Sequence, residues 1–211
     1  MKTISLIAQK GGTGKTTLSI HLAVQATLNG LNVLLVDIDP QASASAWWRR
    51  RQADKPELVL SDGEQLENVL SSAGKRGYQL TVIDSAPHNS AAAKKCASLS
   101  DLILIPTRPA ILDLDAIGAT TQLVDKLGTA ASIVLNACPP PTRFGEPHIV
   151  KEAREALEVY NLPVCDTALS QRAAFSHALI DGRSIAEYDQ KSKAAQEMNT
   201  LWDSIKRDLA L

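Results

Sequence analysis

The chain has 211 residues, 45% of them hydrophobic and 21% charged, which suffices to bury one substantial core, so a single domain over residues 1–211 is expected. A formal net charge of -1 excludes a uniformly basic nucleic-acid binder, and any contact with DNA has to come from a local patch. Three cysteines, Cys96, Cys138 and Cys165, stand far apart with no CxxC spacing; they exclude a disulfide frame or a cysteine metal site and read as reduced thiols.

Residues 3–8 form a nearly continuous apolar run, as expected of a parallel strand covered on both faces. The run leads straight into a glycine loop, so it is not a removable signal peptide. No apolar stretch approaches the roughly 18–20 residues that span a bilayer, and a soluble cytoplasmic protein is expected. Residues 16–28 carry apolar side chains at helical spacing and end at Asn29 and Gly30, a natural C-terminal cap. Residues 32–36 (NVLLV) read as a second buried strand that runs into DIDPQ. A small-residue helix then carries Trp47, Trp48, Arg49, Arg50 and Arg51, where packing of the tryptophans is preferred over a grip on single-stranded nucleic acid.

Residues 54–60 read as a loop with a short edge strand, because Pro56 cannot donate to a central ladder. Residues 61–72 read as a helix with Ser61 as N-cap and Glu64 three residues on, broken by Gly74 and Gly77. Strands are expected at 78–83, 102–105, 131–135 and 162–165, and helices at 91–98, 115–127, 151–160, 171–180 and 191–209. This alternation predicts an α/β fold, a doubly wound, mostly parallel sheet with right-handed crossovers.

The chemistry concentrates in residues 10–17, KGGTGKTT, a variant of the phosphate-loop pattern. Gly11, Gly12 and Gly14 let backbone N–H groups turn inward around phosphate oxygens, and the helix that follows points its positive end at them. Lys15 is then expected to reach the β- and γ-phosphates and Thr16 to take one Mg²⁺ position, with Lys10, Thr13 and Thr17 completing the loop. A plain glycine turn with a solvated lysine does not explain two lysines flanking three glycines. Three aspartates end predicted strands: Asp37, Asp39 and Asp84. Each alone could be a turn residue or a helix cap. Beside a phosphate loop, Asp84 and Asp37 are candidates for the Mg²⁺ shell and Asp39 for orienting the attacking water. His21, His88, His148 and His177 show no metal-ligand spacing, and Ser85 and Ser170 lack a GxSxG context.

The combination KGGTGKTT, DIDPQ and DSAP resembles the deviant-Walker ATPases of the ParA and MinD group. IPTRPAILDLDAIG resembles the proline-containing segment of short ParA partition proteins, and the likeness spans residues 1 to about 189. It implies a P-loop ATPase using ATP and Mg²⁺, weak alone and stimulated by a ParB-like or cargo-adaptor partner. It further implies that Lys10 crosses a homodimer interface to the partner's nucleotide, and that Asn136 contacts the adenine. Taken alone, Asn136 reads as a turn residue.

ParA-like members of this group hold nonspecific DNA on a basic surface, whereas MinD-like members lay a C-terminal amphipathic helix on a membrane. Here Leu201, Trp202, Ile205 and Leu209 form a short stripe accompanied by Asp203 and Asp208, and packing on the domain is the preferred reading. Candidate DNA contacts are Arg172, Arg183, Lys191 and Lys193, with Lys206 and Arg207 weaker; each singly is equally a solvated surface charge. By resemblance the protein is expected on the nucleoid, with no membrane partner. No segment precedes the first strand, so an operator-reading helix-turn-helix is not expected. A MinD-like membrane-cycling ATPase is the alternative, and a metabolic P-loop kinase is a third reading for which no acceptor pocket can be named.

Overall fold

A computed structural model of the chain describes residues 1–87 and 90–211, and of Ser90 the backbone alone. His88 therefore lies outside the described residues. Six strands, β1 (Lys2–Leu6), β2 (Val33–Asp37), β3 (Glu57–Leu60), β4 (Leu80–Asp84), β5 (Leu102–Thr107) and β6 (Ala131–Leu135), form one sheet in the order β3-β2-β4-β1-β5-β6, with every pairing parallel. β1, β2, β4, β5 and β6 are buried along almost their whole length, which is why they read as continuous apolar runs with no alternation. The connections out of β1 and β5 lead to opposite sides of the sheet, and this reversal opens a crevice at the carboxyl ends of the strands, where ligands of such sheets bind.

The helices are α1 (Lys15–Leu28), α2 (Ser43–Trp48), α3 (Leu66–Lys75), α4 (Ser90–Ser98), α5 (Ile111–Asp115), α6 (Gly118–Leu127), α7 (His148–Leu157), α8 (Ala173–Ala178), α9 (Ile185–Tyr188) and α10 (Lys193–Leu209). One core cluster joins α1, α2 and α10 to one face of the sheet; the other packs α3, α4, α6 and α7 on the opposite face. The α10 stripe belongs to the first: Leu201, Trp202, Ile205 and Leu209 are all buried, so the apolar face of this helix is covered by the domain itself. The three cysteines are free and buried, and burial pushes their thiols up to about 12 for Cys96 and Cys138 and about 11 for Cys165. No described helix is long and apolar enough to cross a membrane.

Several boundaries differ from the sequence expectation for definable reasons. The helix expected at 61–72 begins at Leu66, because the Ser61 N–H is taken by the Asp37 carbonyl in continuation of the edge ladder. Asp62 Oδ1 then accepts from the Gln65 N–H at 2.8 Å in place of a serine cap, and the helix runs through Gly74. β5 continues past Ile105 through Pro106, whose lack of an N–H costs nothing because the last β1–β5 pair is Leu6–Leu104. The single helix expected over 115–127 is two, α5 and α6. Residues 162–165 make only an isolated bridge, Val164 to Ile133, and α9 had no counterpart in the sequence reading.

In the WWRRR segment Trp47 packs inward as expected, whereas Trp48 stays exposed at 36%. Trp47 is buried and its Nε1 donates to the Arg183 carbonyl at 3.1 Å, while Trp48 Nε1 donates to the Pro56 carbonyl at 3.0 Å. Arg51 forks onto Glu187 at 2.9 and 2.7 Å, with its side chain only 3% exposed, and lies over the Trp47 ring. These contacts fasten the end of α2 to residues 182–187, while Arg49 and Arg50 remain exposed.

Candidate nucleotide site

The loop between β1 and α1 turns on two glycines in the left-handed region, Gly12 at φ 75° and Gly14 at φ 95°. Gly14 has a second reason to lack a side chain: a Cβ there would stand 2.2 Å from Asn136 Nδ2. That amide instead donates to the Thr13 carbonyl at 2.8 Å, so the end of β6 clamps the loop from the side. The loop opens on a cleft of about 410 Å³ lined by Gly11, Gly12, Gly14, Lys15, Thr16 and Thr17 together with Asp39, Arg108 and Asn136. The cleft then continues along α1 to Leu18, Leu169, Arg172, Phe175 and Met198, giving a polar end at the glycines and a more apolar end beyond. That division suits a ligand with phosphates at one end and a base at the other.

Lys15 is buried beside the loop, its Nζ donating to the Lys10 carbonyl at 3.3 Å. Burial lowers its pKa, opposed by the Asp84 and Asp39 carboxylates. Asp37 and Asp84 end neighbouring strands as direct register partners and are wholly buried. Burial pushes Asp84 up to about 7; hydrogen bonds from Thr16 and Ser19 pull it down, and Asp37 and Asp39 push it further up. Ser19 Oγ donates to Asp84 Oδ1 at 3.2 Å, but Asp84 Oδ2 is buried with no hydrogen-bond partner among the described residues. An orphaned carboxylate oxygen beside Thr16 fits a cation or a metal-bound water. Among the described residues, no cluster of three or more His, Cys, Asp or Glu side chains is arranged to hold a metal by itself.

Asp37 stands behind the cleft. Its Oδ2 accepts from the Ser45 N–H at 2.8 Å and the Ser45 Oγ at 2.9 Å, and its Oδ1 accepts from the Asp39 N–H at 3.2 Å. Both oxygens are thus engaged in fixing the Asp39 loop and the start of α2. Asp39 itself faces the cleft, its Oδ1 accepting from the Gln41 N–H at 2.9 Å.

Two residues of the expected phosphate loop do not line the cleft. Thr13 is turned inward, its side chain buried, and contributes only its carbonyl to Asn136. Lys10 points out of the cleft and pairs with Asp113 Oδ2 of α5 at 3.0 Å. The DNA candidates divide as well. Arg172 lines the cleft with its guanidinium on Glu197 at 2.8 and 3.2 Å. Arg183 is exposed, paired with Asp181 and lying over Tyr188; Lys191 and Lys193 are exposed. Lys206 pairs with Asp203. The sequence reading missed Arg108, His21 and the Arg172–Glu197 pair as parts of the cleft; proximity of Arg108 to a strand end was the only available signal.

His21 ties the cleft wall to the helices beyond it. Its Nδ1 accepts from the Ile185 N–H at 3.1 Å, which leaves Nε2–H to donate to the Phe175 carbonyl at 3.3 Å. Burial holds its pKa down at about 4. The unfolded chain therefore takes up this proton first, and stability falls as pH drops from about 6.5 to about 4, a loss of about 3 kcal/mol from this group. Asp84 acts in the opposite sense, its raised pKa making the ligand-free fold gain stability as pH falls from about 7. Denaturant titrations of wild type and His21→Gln isolate the histidine: the stability difference between them is expected to shift against the wild type by about 3 kcal/mol as pH falls from 6.5 to 4. A difference that does not change with pH would contradict the assignment.

Residues 4–185 match the model of the CobQ/CobB/MinD/ParA nucleotide binding domain. Over 214 residues the chain is 31% identical to maintenance of carboxysome distribution protein A from Gloeobacter kilaueensis, covering 95% of each chain. Its fold is that of MinD from Pyrococcus horikoshii in complex with Mg-ADP (TM-score 0.79, 21% identity, 99% of this chain and 97% of that one). It is equally that of an aspartate-to-alanine variant of McdA from Cyanothece in complex with ATP (TM-score 0.77, 16% identity, 100% and 97%). With the family model covering most of the chain, and the glycine loop, Lys15 and the buried strand-end aspartates where such a domain needs them, the chain belongs to the CobQ/CobB/MinD/ParA nucleotide-binding family.

Proposed function

We propose that this chain is an ATP-hydrolysing switch of the ParA type. ATP and Mg²⁺ join two copies face to face, the dimer holds nonspecific DNA, and a ParB-like or cargo-adaptor partner stimulates hydrolysis and release. The observation that carries the reading is the placement of Lys10: a lysine of the phosphate loop that does not line its own cleft and is held at the rim by Asp113. Such a cation is of use to a triphosphate in another subunit, where it neutralises charge that Lys15 does not reach. The resemblance to a carboxysome-distribution protein supports a role in spacing a cargo.

In this reading the loop N–H groups and Lys15 hold the phosphates, while Thr16 and Asp84 hold Mg²⁺ directly or through water. When bound, the ion neutralises phosphate charge. Asn136 keeps the loop closed and stands where the base end of the cleft begins. Asp39 orients a water whose oxygen bonds to the γ-phosphorus as the bond from that phosphorus to the β-phosphate oxygen breaks, giving ADP and phosphate. The DNA surface is drawn from the exposed Arg183, Lys191 and Lys193, repeated by two-fold symmetry. Membrane cycling is disfavoured because the α10 stripe is already packed on the domain.

Two measurements test this. The mass by light scattering is expected to double with ATP and stay at one chain with ADP. Retardation of a nonspecific duplex is expected with ATP alone and is expected to fall steeply with salt. A chain that stays single when saturated with ATP would overturn the reading, and phosphate transfer to a small molecule without dimerisation would favour a kinase. Flotation with vesicles in place of DNA retention would restore the membrane alternative.

A further inference from the structure

Arg108 is the first residue after β5, and β5 lies beside β1, the strand that feeds the phosphate loop. The two strand ends bracket the crevice at which the sheet reverses its winding. Arg108 lines the same cleft as Gly11, Gly12, Lys15 and Thr16, and its Nη2 lies 3.7 Å from the point a Cβ on Gly12 would occupy. The guanidinium thus stands against the loop at Gly12.

Its base is rigid. Thr107 is buried and ends a strand hydrogen-bonded on the β6 side, while Pro109 is buried and restricts the preceding residue to extended backbone. Among the described residues no carboxylate forms an ion pair with Arg108, in contrast to Lys10 on Asp113 and Arg172 on Glu197. An exposed cation anchored so firmly, aimed at a phosphate loop and left unpaired, is a ready-made phosphate contact. A guanidinium presents a planar fork that matches two phosphate oxygens at once.

We propose that Arg108 is a phosphate-contacting residue of the chain's own cleft that grips the terminal phosphate of the nucleotide from beside Gly12. The inference rests on the ATP reading above. It makes the single subunit able to tell a triphosphate from a diphosphate before any second copy arrives with Lys10.

The test is calorimetric titration of the full chain with Mg-ATP and Mg-ADP, for wild type, Arg108→Ala and Arg108→Lys. Loss of a charge-assisted hydrogen bond predicts that Arg108→Ala weakens ATP binding roughly 10- to 100-fold, with ADP nearly unchanged, and that Arg108→Lys recovers part of the loss. Thermal midpoints without nucleotide are expected to coincide, since the side chain is exposed and unpaired. Equal ATP affinity in wild type and Arg108→Ala, or equal losses for ATP and ADP, would overturn the proposal. Intact ATP discrimination with loss of DNA retention would also overturn it, moving Arg108 to the DNA surface. Failure of the wild type to bind either nucleotide would instead strike the proposed function itself.

Discussion

Asp39→Ala is expected to bind ATP almost as the wild type does but to hydrolyse it roughly 10²- to 10⁴-fold more slowly, and to accumulate as an ATP-held dimer. The side chain faces the cleft, and among the described residues its hydrogen bond goes to the Gln41 N–H of its own turn, while it acts on Lys15 through charge. In the proposed mechanism, removing it takes away the group that would align water while leaving the groups that would hold phosphate in place. Loss of the turn contact is controlled with Asp39→Asn, which keeps an acceptor for the Gln41 N–H and removes the charge. Both variants are expected to show the same slow turnover in a phosphate-release assay and the same doubled mass by light scattering. A variant that no longer binds ATP would show that Asp39 holds the nucleotide.

Gly14→Ala is expected to abolish nucleotide binding altogether. An alanine at φ 95° is strained by roughly 1–3 kcal/mol, and its methyl group would overlap the Asn136 amide. Relief requires Asn136 to swing away, which breaks its bond to the Thr13 carbonyl and frees the loop whose N–H groups must converge on phosphate. The ligand-free protein should fold with a modestly reduced thermal midpoint, because the loop contributes little to either core cluster. The upward shift that saturating ATP gives the wild type, about 2.7 kcal/mol at a hundredfold excess over Kd, should vanish. Gly14→Ala paired with Asn136→Ala removes the overlap but retains the strain, and a partial return of the shift would apportion the two causes.

Much of the architecture and the catalytic end of the cleft was legible because each piece is contiguous in sequence. KGGTGKTT follows its own strand, and Asp37, Asp39 and Asp84 end theirs, so apolar runs and strand-end chemistry sufficed to bring them together. The remainder depends on partners far apart in the chain. Nothing near Arg172 announces Glu197, and nothing in WWRRR distinguishes Arg51, which closes on Glu187, from Arg49 and Arg50, which stay exposed. The proximity of Arg108 to Gly12 exists only once β5 lies beside β1. The misplaced start of α3 has a similar origin: Ser61 is a good cap in isolation, but the ladder with β2 claims its N–H first.

The ion pair between Lys10 and Asp113 bears on how such a device lets go. Before this lysine can serve a neighbour it must leave a carboxylate for a phosphate, exchanging one anion for another, so the net gain from docking is far smaller than the gross attraction. In the proposed switch, departure of the terminal phosphate would return the ammonium group to its home carboxylate. Two copies joined on these terms would separate promptly, and the lifetime of their embrace would be set by the chemistry between them.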